Sequence, residues 1–318
     1  MDLNDFGTNV ASSSNKKDTA EPAAPTSQSE PESKDDLFFS QWTPIGSATY
    51  LAVSDTQKTL RGGMYTVEPS NRGMLFTRMD VKVDDLIRFP DSLSDKIITE
   101  IASFWTRHDV FKEYGFLHRR GYLFYGPQGS GKTAIVQQVV ADIIKQGGLV
   151  FSCERPSHLN DALAIFRQVE PERKVVCLFE DIDAIVDRFG DSSLLSLLDG
   201  ENQIDKVLNI ATTNYPEKLD KRIISRPRRF DRVMKIGMPN DEIRSVYFER
   251  KLNIKQDELA LWVKNTKGFS FAACAELVIS VKCLGHKFED AVEILNELLV
   301  SKKSSSDYDN SGKVGFGK

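Results

Sequence analysis

From Arg120 onward, short continuous apolar runs alternate with longer segments of helical periodicity. Uninterrupted apolar runs separated by helices are typical of a parallel sheet covered on both faces. The pattern therefore predicts an α/β fold with a parallel sheet and flanking helices. The strand-like runs are 122–125, 149–153, 175–179, 207–212 and 233–236.

After Pro239 the strand-like runs end. Four segments, at 241–252, 256–265, 271–284 and 288–300, have helical periodicity, and the last of them places apolar residues along one stripe. We therefore predict a helical lid over 239–301, following an α/β domain over 81–238.

The first 80 residues differ in character from the rest of the chain. Short β-prone runs around glycines between 37 and 80 predict a small β-rich element. Residues 1–36 are rich in Ser, Ala, Pro and acids, and 302–318 are similarly polar. Such segments cannot bury enough apolar surface to offset their ordering entropy, so we expect a disordered acidic tail and a flexible C-terminal tail.

Composition limits the cellular compartments and the binding partners that we expect for the protein. No apolar run approaches the roughly 20 residues of a membrane span, and the acidic N-terminus is unlike a signal peptide. The four cysteines are far apart within apolar runs, which predicts buried, reduced thiols. A net charge of −4 argues against a broad nucleic-acid surface. We expect a soluble, cytoplasmic protein without a membrane partner.

The segment between the first strand of the α/β domain and the helix after it fits the phosphate-binding pattern G-x-x-x-x-G-K-[ST]. Its residues are Gly126, Pro127, Gln128, Gly129, Ser130, Gly131, Lys132 and Thr133. Glycines let backbone N–H groups converge on an anion, and the helix presents its positive end. Lys132 would reach the outer phosphates and Thr133 would bind Mg²⁺. A glycine-rich turn before a core helix explains this pattern less well than a nucleoside triphosphate site.

Two carboxylates follow the buried run 175–179, namely Glu180 and Asp181. A phosphate loop needs one carboxylate for the Mg²⁺ shell and another to polarise the attacking water. Because side chains alternate along a strand, we expect Glu180 to face the metal and Asp181 the nucleophile. The alternative is an acidic strand end that caps the next helix.

Two further candidates lie downstream. Asn214 follows the run 207–212 and could position the attacking water, or could cap the strand end. A cationic cluster at 226–232 includes Arg226 and Arg229. It is either a solvated loop or a source of arginines for a transferring phosphoryl group.

The chain resembles AAA-type ATPases in the order of four segments, GPQGSGKT, LFEDIDAI, ATTN and SRPRRFDR. The Glu-Asp order in the second segment most resembles the Bcs-type branch of that family, which includes the mitochondrial Rieske-protein translocase. The resemblance implies a five-stranded sheet, a helical lid and a homo-oligomeric ring, hexameric or heptameric, with ATP at subunit interfaces. It assigns phosphate and Mg²⁺ to Lys132 and Thr133, the metal to Glu180 and the general base to Asp181. It gives Asn214 a sensor role, makes Arg226 and Arg229 fingers for a neighbour's site, and places Asp85 and Leu86 beside adenine.

Three features depart from the family pattern. Most AAA proteins have Asp-Glu where this chain has Glu180-Asp181, and Arg228 replaces a usual glycine. No arginine lies between Gly268 and Leu284, so the lid offers no arginine sensor there.

The use of ATP remains open at the level of sequence. The first hypothesis is a ring that remodels or moves a protein client, although 154–160 lacks the aromatic and glycine of threading motors. The second is a nucleic-acid motor, and the third is a nucleotide-gated scaffold that hydrolyses slowly. Candidate basic residues for the second are Lys112, His118, Arg119, Arg120, Arg155 and Arg173.

Overall fold

The computed structural model describes residues 41–44, 50–53, 56–71, 73–79, 87–89, 92–199, 204–224 and 226–300. The predicted tails at 1–36 and 302–318, and the candidates Asp85 and Leu86, lie outside the described residues. The chain divides at Thr56 into two units. In the first unit, β1 (Gln41–Pro44) and β2 (Tyr50–Val53) pair in antiparallel fashion.

The second unit contains a seven-stranded sheet with the order β4-β3-β6-β7-β8-β5-β9. Strands β5 to β9 and β3 are mutually parallel, and β4 pairs with β3 in antiparallel fashion. The strands are β3 (Gly63–Ser70), β4 (Gly73–Met79), β5 (Arg119–Tyr125), β6 (Leu149–Ser152), β7 (Val175–Phe179), β8 (Val207–Thr213) and β9 (Arg232–Lys235).

The five predicted parallel strands are confirmed, but the expected count of five for the sheet is wrong. The hairpin of β3 and β4 joins the sheet, because β3 continues the ladder of β6 with Tyr65 opposite Phe151. Tyr65 and Val67 are buried in the same core as Phe151. The strand count was wrong because the glycines around β3 and β4 are typical of the boundaries of a separate element. Local sequence does not show that β3 pairs with the distant strand β6.

Helices cover both faces of the sheet. Alternate residues of β7 enter different cores, with Cys177 and Phe179 on one side and Val176 and Leu178 on the other. The two-residue period of a strand thus explains its uninterrupted apolar sequence. Helices α1 and α3 pack on the second side, and α4 to α7 on the first. Their bounds are α1 (Leu93–Trp105), α2 (His108–Glu113), α3 (Lys132–Lys145), α4 (Pro156–Val169), α5 (Ile182–Phe189), α6 (Asp191–Asp199) and α7 (Lys221–Ile224).

Four further helices follow the sheet and have a hydrophobic core of their own. In that core, Trp262 packs against Phe248, with ring centroids 5.2 Å apart, beside Phe269 and Leu277. The helices predicted for the lid are therefore present, although the third continues into a π-helical turn at Ile279–Cys283. They are α8 (Asp241–Lys251), α9 (Gln256–Asn265), α10 (Phe271–Val278) and α11 (Phe288–Val300).

The cysteines differ in exposure. Cys153, Cys177 and Cys274 are buried, and burial raises the pKa of the Cys177 and Cys274 thiols to about 12. Cys283 is exposed, so the prediction of a buried thiol is wrong there, because the π-helical turn places it outside the lid core. Among the described residues, none of the helices has the length and apolar character needed to cross a bilayer.

Candidate nucleotide-binding site

The candidate residues meet at the carboxyl edge of the sheet, where open α/β sheets bind ligands. The phosphate-loop segment 126–133 follows β5, the acids follow β7, and Asn214 follows β8. Although β8 comes after β7 in the chain, it lies between β5 and β7 in the sheet. Asn214 therefore lies between the phosphate loop and the acidic pair.

Glycines shape the phosphate loop. Gly126, Gly129 and Gly131 all have positive φ, at 155°, 74° and 100° respectively. At Gly126 an added Cβ would overlap the carbonyl oxygen of Ile236, at the end of β9. The loop thus needs glycine both for its backbone conformation and for its close contact with the neighbouring strand.

Lys132, the first residue of α3, holds the loop together. Its Nζ donates hydrogen bonds to the carbonyl oxygens of Gly126 at 2.8 Å and Pro127 at 3.0 Å, and to Asn214 Oδ1 at 2.7 Å. The side chain is buried, and this loss of hydration lowers the pKa of Lys132, against the opposing effect of Asp181. A phosphate would offer this buried ammonium group a full counter-charge in place of neutral acceptors.

A cavity of about 400 Å³ lies beside the loop. Its lining includes Gln128, Gly129, Gly131, Lys132, Thr133, Glu180, Asp181, Thr212, Asn214, Phe271 and Ala272. The oxygens of Thr133 and Glu180 are the hard ligands that Mg²⁺ prefers, and Lys132 suits a phosphate. Nearby, the hydroxyl of Ser130 is buried and has no hydrogen-bond partner among the described residues. The residues present therefore fit a Mg²⁺–nucleotide complex.

The two acids differ in environment. Asp181 has a left-handed backbone, with φ 46°, and occupies the N-cap position of α5 without a side-chain capping bond. Helix capping therefore does not account for its carboxylate. Instead, Asn214 Nδ2 lies 3.4 Å from Asp181 Oδ1. Glu180 is exposed, as Asp181 is, but partial loss of hydration of its carboxyl group, and then the charge of Asp181, raise its pKa.

The two arginines do not line this cavity. Arg226 has a 67% exposed side chain, 3.6 Å from Asp199 Oδ2. Arg229 is buried; its Nε donates to the same oxygen at 2.6 Å, and its Nη1 donates to the carbonyl of Arg222. Between them, Arg228 has φ 74°, a conformation that favours glycine.

A second cavity, of about 200 Å³, was not anticipated from the sequence. It shares Gly131 and Phe271 with the first, and its walls come from the start of α1, from α3, and from the segment joining β9 to α8. Phe89 and Phe271 face each other in its lining, with ring centroids 5.2 Å apart. Beside it, Gln138 Nε2 donates to the carbonyl of Ile87 at 3.2 Å. Apart from Ser130 and Gly131 of the phosphate loop, the lining residues belong to no sequence motif, because four separate segments supply them.

Three of the basic residues considered for nucleic-acid binding are engaged within the fold. His118 is 1% exposed and stacks on Phe104, so its choice as a surface residue is wrong. Arg119 donates to the carbonyls of Leu198 and Arg228, and Arg173 pairs with Glu170.

Relatives of known name share this region. The chain is 34% identical over 199 residues to proteasome-activating nucleotidase 1 of Haloferax volcanii, covering 54% of this chain and 48% of that protein. It is 29% identical over 194 residues to a cell division cycle protein 48 homolog of Archaeoglobus fulgidus, covering 55% of this chain and 26% of that protein. It is 27% identical over 239 residues to the ATP-dependent zinc metalloprotease FtsH of Lancefieldella parvula, covering 65% of this chain and 36% of that protein. The chain thus spans about half or less of each relative's length.

A family model matches the part of the chain that carries the site. Its description is "ATPase family associated with various cellular activities (AAA)", and it covers residues 122–238. The match contains the phosphate loop, both acids, Asn214 and the arginine cluster. The prediction of an ATPase is confirmed for this domain. Residues 122–238 are therefore similar to AAA-type ATPase domains.

Proposed function

We propose that the chain hydrolyses ATP with Mg²⁺ as one subunit of a homo-oligomeric ring that remodels or moves a protein client. One observation carries this proposal. Lys132, Glu180, Asp181 and Asn214 line a single cavity, whereas Arg226 lies on the surface outside it. One subunit supplies a phosphate loop, two acids and an amide, and a neighbouring subunit would complete the site with an arginine.

The nucleotide would extend across both cavities. Its phosphates would lie in the larger cavity, against Lys132 and the loop N–H groups, and its base in the smaller, mostly apolar one. Asp85 and Leu86 precede Ile87, whose carbonyl accepts from Gln138 of the smaller cavity. This proximity in the chain supports their proposed place beside the base.

Each residue has a proposed role in hydrolysis. Thr133 and Glu180 would hold Mg²⁺, which supplies charge neutralisation at the phosphate oxygens. Asp181 would accept the proton of the water that attacks the γ-phosphorus, as the bond to the β-phosphate oxygen breaks to give ADP and phosphate. Asn214 is 3.4 Å from Asp181 and would orient that water. Lys132 would hold the charge that develops on the phosphate oxygens.

The arginines would act differently from each other. Arg226 is exposed and can reach another subunit, so it is the proposed principal finger. Arg229 is buried against Asp199 and would reach a neighbour's phosphate only after that pair opens. Its proposed role therefore includes holding the finger loop in place.

The proposed client is a protein. Two relatives are named for proteolytic systems, as a proteasome-activating nucleotidase and a zinc metalloprotease. Between β6 and α4 only Cys153 to Arg155 intervene, so this connection offers no long client-gripping loop. The Glu180-Asp181 order supports membership of the Bcs-type branch, which would be a finer assignment within the AAA family.

Mixing two inactive variants tests the composite site. A Lys132→Ala subunit has a disabled phosphate loop but keeps Arg226. An Arg226→Ala subunit keeps the phosphate loop but lacks the arginine. In a ring, the intact arginine of one variant would serve the intact loop of the other. We expect each variant to be nearly inactive alone and the mixture to regain part of wild-type ATP turnover. Full turnover by Arg226→Ala alone, or no recovery on mixing folded variants that co-assemble, would contradict a shared site.

A further inference from the structure

Phe271, the first residue of α10, lies between the two cavities and lines both. Its half-buried ring is 5.2 Å from the ring of Phe89 and 5.9 Å from that of Tyr247. Its backbone N–H donates to the carbonyl of Gly129 at 3.0 Å. A lid residue is thus bonded directly to the phosphate loop.

The phosphate loop leaves room for this ring. A Cβ at Gly131 would lie 3.0 Å from Cδ2 and 3.1 Å from Cε2 of Phe271. The ring therefore packs against the loop backbone where the two cavities meet. A nucleotide with its phosphates in one cavity and its base in the other must pass along the open side of Phe271.

The lid offers the phosphates no charge. Among the described residues that line the larger cavity, Lys132 is the one cation, and the lid contributes Phe271 and Ala272. In the smaller cavity the segment leading into α8 and the helix itself add Pro239, Asn240 and Ile243, which are also uncharged. An aromatic ring attracts a nucleoside by stacking and apolar contact, whereas recognition of a γ-phosphate requires cations or N–H donors.

We propose that Phe271 is the nucleoside-binding residue of the lid, and that through it the lid responds equally to ADP and ATP. The inference rests on the proposed function, because it requires an adenine nucleotide to occupy both cavities. It assigns discrimination of the γ-phosphate to Asn214 and to the neighbour's arginine, and assigns the sensing of an occupied site to the lid.

Binding measurements on Phe271→Ala test this assignment. The probes are Mg-ADP, a non-hydrolysable Mg-ATP analogue, and inorganic tripolyphosphate as a competitor without a nucleoside. We expect both nucleotides to bind about tenfold more weakly, by the same factor, with tripolyphosphate unchanged. Phe271→Tyr keeps the ring and should restore binding. Leu284→Ala, at a lid position that is 60% exposed and lines neither cavity, is the matched control and should bind as wild type.

Three results would overturn the inference while leaving the proposed function intact. The first is unchanged nucleotide binding by Phe271→Ala. The second is a larger loss for the ATP analogue than for ADP, which would make Phe271 a γ-phosphate sensor. The third is an equal loss for tripolyphosphate, which would mean that the ring acts by supporting the loop. If the wild-type chain bound neither nucleotide, the proposed function itself would be wrong, and the inference with it.

Discussion

The ammonium nitrogen of Lys132 lies 2.7 Å from Oδ1 of Asn214, and this hydrogen bond joins the loop after β5 to the end of β8. Asn214 also lies 3.4 Å from Asp181, so one amide contacts both the proposed phosphate-binding cation and the proposed base. When a phosphate binds, the ammonium group of Lys132 would exchange its neutral hydrogen-bond acceptors for a charged one. Asn214 is therefore placed to couple phosphate binding to the position of the base.

Asn214→Ala should separate binding from hydrolysis. Because the amide is proposed to orient the attacking water, we expect kcat to fall roughly 100-fold, the usual loss for one transition-state donor. The bonds to Gly126 and Pro127 still hold Lys132 in the loop, so the Kd for Mg-ADP should change by less than a few-fold. Steady-state turnover and nucleotide titration measure the two effects. Wild-type turnover in this variant would contradict the sensor role.

Substitutions of Asp181 and Asp183 should affect different properties, turnover in the first case and stability in the second. Asp181 is exposed and makes no capping bond, so Asp181→Asn should lower kcat by about 10²–10⁴ and leave Tm unchanged. Asp183 is buried and accepts a hydrogen bond from Thr213 at 2.6 Å. Asp183→Ala should therefore lower the free energy of unfolding by about 1–3 kcal/mol. Turnover assays and denaturant unfolding compare them, and normal turnover of Asp181→Asn would exclude it as the base.

Substitution of Arg226 should lower activity, whereas substitution of Arg229 should lower stability. We expect Arg226→Ala to unfold like wild type, because its side chain is largely exposed, and to lose about 10³-fold or more in kcat. Arg229→Ala removes a buried guanidinium that donates hydrogen bonds to Asp199 and to the carbonyl of Arg222, and should cost about 1–3 kcal/mol of stability. Thermal unfolding of both variants provides the comparison. Equal stability of the two would contradict a structural role for Arg229.

Glu180→Gln should stabilise the nucleotide-free protein while abolishing Mg²⁺-dependent turnover. The raised pKa of Glu180 means that the folded state favours its protonated form, so stability is lost as the pH rises through that pKa. The glutamine variant removes this cost. At pH 7.5 we expect a Tm higher by at most about 2 °C, because the residue is exposed and solvent screens most of the effect. The difference should disappear as the pH falls below 4.5, where the carboxyl group becomes protonated in the folded and unfolded states alike, and a lower Tm at pH 7.5 would contradict the argument.

Arg228→Gly should stabilise the fold. At φ 74° a side chain with a Cβ costs about 1–2 kcal/mol, part of which is offset by the greater chain entropy of glycine when unfolded. The expected gain is therefore up to about 1 kcal/mol, read as a higher Tm. Arg228→Ala is the control, because it removes the charge but keeps the Cβ, and it should show no gain. A gain in the alanine variant alone would point to charge repulsion among the arginines instead of backbone strain.

Local sequence was enough to predict the helices of the lid and the five parallel strands, and phosphate binding by 126–133 stays a prediction from the same kind of local pattern. Gly126 to Thr133 is a contiguous pattern whose glycines and lysine carry the geometry, and Glu180 and Asp181 follow directly from the end of a buried strand. These features depend on neighbours within a few residues. Backbone preference and side-chain period therefore determine them without knowledge of the rest of the chain.

The tertiary structure alone decided which distant segments meet. It paired β3 with β6 and so enlarged the sheet, and it buried Arg229 against Asp199 while leaving Arg226 exposed. It also brought Phe271 of the lid against Gly131 of the phosphate loop. Strand pairing, burial and the meeting of cavities are contacts between residues far apart in the chain. Their free energy depends on packing across the whole fold, which no local pattern encodes.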